Sequence, residues 1–166
     1  MTKSGDLYNL NQYQRMLLVH RLNGLCRFLD SNYSINSGGC CYTCYLISKK
    51  LEEMNIKYKV VIADCEFEEG DLEQAQEIQD AIKSRDLDSI CCGDYVSSHY
   101  MVKIDNKIVN PDHGTDDPTI EIELNSDDLK WIYNTGDWNS SYDIRLNGIL
   151  KNYINTLFNA FKIELL

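Results

Sequence analysis

The chain has 166 residues, 26 acidic and 16 basic, for a formal net charge of −10. That balance excludes a nucleic-acid or anionic-membrane binder, since contact with phosphate would be repulsive. With 43% hydrophobic and 25% charged residues, the chain is also too apolar to stay disordered.

Asn11 to Leu29 carries Leu18, Leu22, Leu25 and Leu29 at helical spacing and reads as the first helix. Asp30 to Gly39 is turn chemistry and reads as a loop. A second helix is expected from Cys40 to Asn55, with Cys40, Cys44, Ile47, Leu51 and Met54 on one apolar stripe and Cys41 turned away from it. Lys57 to Ala63 reads as a strand, Asp64 to Asp71 as an acidic loop, and Leu72 to Arg85 as a polar helix. After an irregular stretch at Asp86 to Asp94, Tyr95 to Ile104 and Lys107 to Pro111 read as paired strands. Thr119 to Leu124 alternates apolar and polar residues, as a strand does. Ser126 to Tyr133 reads as a short helix capped by Ser126, and Asp143 to Glu164 as a long terminal one. The sum is an α+β class: helices flanking a small, mainly antiparallel sheet, in one domain spanning residues 1–166.

No apolar run approaches the ~20 residues that cross a bilayer, and Met1 to Asp6 lack the apolar stretch of an export signal. The expectation is a cytoplasmic protein with no membrane and no nucleic-acid partner. The cysteines, Cys26, Cys40, Cys41, Cys44, Cys65, Cys91 and Cys92, number seven. An odd count without an export signal argues against a disulfide framework. Clustered cysteines in a reducing compartment then point to buried small hydrophobes, a metal site or a nucleophile.

Two segments carry chemistry. Ser37 to Cys44 (SGGCCYTC) is a glycine-rich loop entering a helix. A cysteine in that first turn faces unpaired backbone N–H groups and the positive end of the helix dipole, which favour a thiolate. The N–H groups at Gly39 and Cys41 are candidates to hold the oxyanion of a tetrahedral intermediate. The second segment runs from Ser97 to Asp112. A two-residue turn at Asp105-Asn106 sets Ile104 against Lys107, Val102 against Val109, and His99 against Asp112. An imidazole and a carboxylate at that separation form the base and orienting half of a triad. Asn110 shares their face one step along and is a candidate substrate or oxyanion contact.

Gly39-Cys40 opening a helix, Leu51 and Met54 on its buried face, Asn55-Ile56 closing it, a following strand, then His99 and Asp112 on adjacent strands resembles the transglutaminase-like branch of the papain-like cysteine enzymes. Arylamine N-acetyltransferases and many bacterial cysteine peptidases share that order. The resemblance covers about Gly38 to Asp112. It implies Cys40 as nucleophile, His99 as general base and acid, and Asp112 as orienting carboxylate. It also implies thiol-dependent acyl transfer or hydrolysis on a peptide, protein or small amide or ester. The chain departs from the common pattern where Met101 and Val102 stand in place of a tryptophan, and where Asp112 follows a proline instead of preceding one.

Two other classes compete. One is the same fold kept as a catalytically inactive binding or structural protein. The other is an interaction module stabilised by zinc on Cys41, Cys44, Cys91 and Cys92, although the vicinal Cys91-Cys92 is poor ligand spacing. No metal and no cofactor are expected. Cys41-Tyr42-Thr43-Cys44 has thioredoxin-type spacing but does not follow the first strand of a βαβ unit. The acidic loop lacks the ligand spacing of an EF-hand.

Overall fold

The structure, a computed structural model, describes residues 9–35, 38–86, 98–110, 116–135 and 144–166. In chain order the elements are α1 (Gln12–Tyr33), α2 (Cys40–Glu53), β1 (Lys59–Ala63), α3 (Leu72–Ser84), β2 (His99–Ile104), β3 (Lys107–Val109), β4 (Thr119–Ile122), α4 (Ser126–Thr135), a 3₁₀ turn (Ile144–Leu146) and α5 (Asn147–Glu164). The four strands form one sheet in the order β3-β2-β1-β4, and every neighbouring pair is antiparallel. The fold is α+β, as the sequence patterning implies. No helix among the described residues is long and apolar enough to cross a membrane.

Several boundaries depart from the sequence reading by a few residues, three of them as follows. α1 continues four residues past Leu29 and consumes the start of the expected loop; Ser34, in the left-handed region at φ 52°, ends it by donating its N–H to the Asp30 carbonyl. Its other end is a capping box in which Asn11 and Gln14 satisfy one another's backbone N–H. Ser126 is the first residue of α4 and not its cap. Asn125 and Asp128 form that cap, each side chain accepting from the other's N–H at 2.9 Å. β4 stops at Ile122, two residues short of the expected end.

The Asp105-Asn106 turn and its register match expectation: Ile104 pairs with Lys107, Lys103 with Ile108 and Val102 with Val109. Asp105 takes φ 52°, the conformation for which Asp and Asn are tolerated in such turns.

Strand alternation splits the sheet into two unlike faces. Val60, Ile62, Tyr100, Val102, Ile104, Val109, Ile120 and Ile122 belong to the main core together with residues of all five helices. Val61, Ala63 and Met101 form a separate small buried cluster, and Lys59, Lys103 and Glu121 share their face as an ion-paired group.

α2 is the central helix. It packs on β2, α4 and α5, and Cys40, Cys41, Thr43, Cys44, Leu46, Ile47, Ser48 and Leu51 are all buried. The single-stripe expectation therefore fails for Cys41. That side chain is fully buried against α4, its thiol 3.6 Å from the Leu129 carbonyl. The helix carries small polar residues on its second buried face, Thr43 returning its hydroxyl to the Gly39 carbonyl at 2.8 Å, so periodicity of apolar residues understates the burial.

Candidate active site

α2 runs in the same direction as β2. The Cys44 thiol donates to the Tyr100 carbonyl at 3.2 Å near the start of β2. At the other end of α2, Glu52 accepts from the Tyr58 hydroxyl just before β1, which is antiparallel to β2. Cys40 lies one helical turn, roughly 6 Å, before Cys44. That displacement equals about two strand residues and brings Cys40 roughly level with Ser98, at the end of the sheet where β2 begins.

His99 opens β2 at the same end. Its Nε2 is 2.9 Å from Asn110 Oδ1. The amide oxygen only accepts, so in this contact Nε2 is the donor. Asn110 is itself held: its N–H donates to Asn23 Oδ1 on α1 at 3.0 Å, and Asn23 Nδ2 donates to the Ile108 carbonyl at 3.0 Å. One carboxamide from α1 thus takes the place of a neighbouring strand along the outer edge of β3.

By alternation, Ser98 and Tyr100 project to the face on which α2 packs, while His99 projects with Met101 and Lys103 to the other. Cys40 and His99 therefore share an end of the sheet but not a face, and any meeting of thiol and imidazole occurs around the start of β2. On Cys40's own face the Ser98 hydroxyl donates to Asp64 Oδ2 at 2.8 Å, a pair that the sequence reading did not single out. The position of Ser98 two residues before Tyr100 was the signal for its face; nothing local pointed to Asp64.

The oxyanion candidates separate. The Gly39 N–H is already committed to the Ile35 carbonyl at 2.7 Å, so Gly39 does not supply a donor. Cys41 lies in the first turn of α2, whose N–H groups precede the helical ladder. Asn110, expected to touch substrate, hydrogen-bonds the His99 ring. Asp112, the expected orienting carboxylate, lies outside the described residues, as do Cys91 and Cys92 of the zinc alternative.

Cys40 is 4% exposed, and Cys26, Cys41 and Cys44 are more deeply buried. Burial pushes the Cys41 and Cys44 thiols well above their ordinary value, and each neighbouring thiolate would add to the effect. Burial likewise raises Cys26 to about 12. These three behave as core hydrophobes and not as nucleophiles. Cys65, in the loop after β1, is exposed. Among the described residues the cysteines are not joined in disulfides, and no group of three or more His, Cys, Asp or Glu side chains converges as a metal site. Comparison of the chain with family models, with curated proteins and with solved structures finds no match.

Proposed function

We propose that the protein is a thiol-dependent enzyme of acyl transfer or hydrolysis acting on an amide or ester, with Cys40 as nucleophile, His99 as base and acid, and Asn110 as the residue that orients the imidazole. The observation that carries this reading is the His99 Nε2–Asn110 Oδ1 hydrogen bond, at the end of the sheet where Cys40 opens α2. An imidazole held in place by a hydrogen bond is what a thiol needs beside it to become a nucleophile. In the proposed reaction the Cys40 proton passes to the imidazole as sulfur attacks the carbonyl. The first-turn N–H groups of α2, that of Cys41 among them, stabilise the oxyanion. The imidazolium then protonates the departing amine or alkoxide, leaving a thioester that water or an acceptor amine resolves. The resemblance to transglutaminase-like, papain-like enzymes supports this order of residues, and the acidic chain favours a neutral or cationic substrate.

The second reading, a catalytically inactive relative retained for binding or structure, is favoured by one observation: Cys40 is buried on the face opposite to His99. Burst kinetics separate the two. With p-nitrophenyl acetate, the first reading predicts a rapid release of about one nitrophenolate per chain that C40A abolishes. An identical slow, burst-free rate in wild type and C40A would favour the second.

A further inference from the structure

We propose that the cleft at the opposite end of the sheet binds a small polyanion: a phosphorylated or polycarboxylated metabolite with an apolar portion. The cavity there is about 540 Å³, within the usual range for a small-ligand site. Its lining includes Lys57, Lys59, Lys83 and Lys103, a quarter of all basic residues in a chain of net charge −10. His99 lies four residues up β2 from Lys103, roughly 13 Å along the strand, so this site is separate from the one proposed for the thiol chemistry.

Two of the lysines stand close together. Lys59 and Lys103 stand directly opposite one another across β1 and β2, and like charges in such pairs repel. They share a single carboxylate, Glu121, which pairs closely with Lys103 and sits 3.8 Å from Lys59. Lys83 has only a loose 3.6 Å pairing with Asp128, whose oxygens already accept from Arg85 and the Asn125 N–H.

Two of the three carboxylates in the lining are held in place by other groups. Glu52 accepts from the Tyr58 hydroxyl, the Ser126 N–H and the Ser126 hydroxyl. Asp105 is bound by Arg15 at 2.7 Å. Glu123 completes the acidic members. Ile56, Leu124 and the Tyr58 ring supply an apolar surface beside the ammonium groups. An anion carrying more than one negative group, with an apolar body, matches both features.

Amide NMR titration with inorganic pyrophosphate, citrate and adenosine monophosphate at fixed ionic strength tests the site. The proposal expects saturable shifts confined to residues 56–59, 83, 103 and 123–125. It also expects at least tenfold weaker binding in K57E, tighter binding in E123Q, and no change in K151E, which alters an exposed lysine on α5. Tighter pyrophosphate than citrate assigns a phosphoryl ligand, and the reverse assigns a carboxylate. Non-saturating shifts spread over the surface, or an equal loss in K57E and K151E, would overturn it. Exposed Lys57 is dispensable for the core, so K57E should give an unchanged folded spectrum apart from the cleft.

Discussion

The two ends of the sheet are built from different chemistry. Where β2 begins, the polar groups are neutral or hydrogen-bonded in chains: Asn23 holds Asn110, Asn110 holds His99, and the buried thiol of Cys40 stands at the start of α2. Where β2 ends, the surface is a set of charges, with Lys59 and Lys103 divided over one glutamate and Lys83 over an aspartate already engaged. The first arrangement sets the direction of a titratable ring. The second gathers four lysines at one cleft, with carboxylates shared among them. The contrast teaches that one end is ordered by directional hydrogen bonds between neutral groups and the other by shared charges.

Substitutions should separate the two ends. The largest effect belongs to the imidazole: His99→Ala should lower acyl-transfer turnover by about 10²–10⁴-fold in burst kinetics while leaving pyrophosphate binding intact. Parallel losses of both would show that the ends are coupled. Next is the element both ends share. Leu51 is fully buried on α2, and Leu51→Ala should cost about 2–5 kcal/mol in denaturant unfolding, weakening both sites together. A cost below about 1 kcal/mol would contradict the central place of α2 in the core.

A finer effect concerns the orienting chain. Asn110→Ala should reduce turnover by about 10–100-fold, with the fold retained, because it frees the ring that Asn110 holds through Nε2. Asn110→Asp, which keeps an acceptor at that position, should restore part of the loss. Equal activity in wild type and N110A would remove Asn110 from the site.

The smallest effect lies away from both ends. The Arg21 guanidinium, 2.6 Å from Glu164, holds that carboxyl below its ordinary value. A depressed carboxyl contributes stability above the unfolded carboxyl range and loses it as pH falls through the lowered value. Because the pair is exposed, Glu164→Gln should shift the melting temperature only slightly at neutral pH and not at all once the carboxyl is protonated. A large neutral-pH shift would show that the α1–α5 contact is held by charge and not by Phe161 and its neighbours.

Much of the first end was legible in the sequence. The Asp105-Asn106 turn fixed the β2–β3 register by local chemistry, and with it the shared face of His99 and Asn110. The glycine pair before Cys40 marked the start of α2. What escaped was decided by contacts distant in sequence. Cys41 is buried because α4 packs over it, and nothing near residue 41 announces a helix from residues 126–135. Asn23 sits on α1 among residues that read as ordinary helix surface, yet it braces a strand 85 residues later. The role given to Gly39 failed for a similar reason, since the loop folds its N–H back onto Ile35. The lysine cleft was invisible because the facing of Lys59 and Lys103 depends on the β1–β2 register, which no turn specifies.

The central claim is that Cys40 and His99 act on one another at the start of β2, although Cys40 on α2 and the His99 side chain lie on opposite faces of the sheet. The direct measurement is the rate of iodoacetamide labelling at each cysteine at about pH 6, where ordinary thiols of pKa about 8.5 are almost fully protonated, read by mass spectrometry on the folded protein. Cys40 should label fastest, His99→Ala should slow it at least tenfold, and Cys26, Cys41 and Cys44 should stay unlabelled in both. If Cys65 labels fastest and His99→Ala leaves the Cys40 rate unchanged, the thiol and the imidazole do not meet and the enzymatic reading is contradicted.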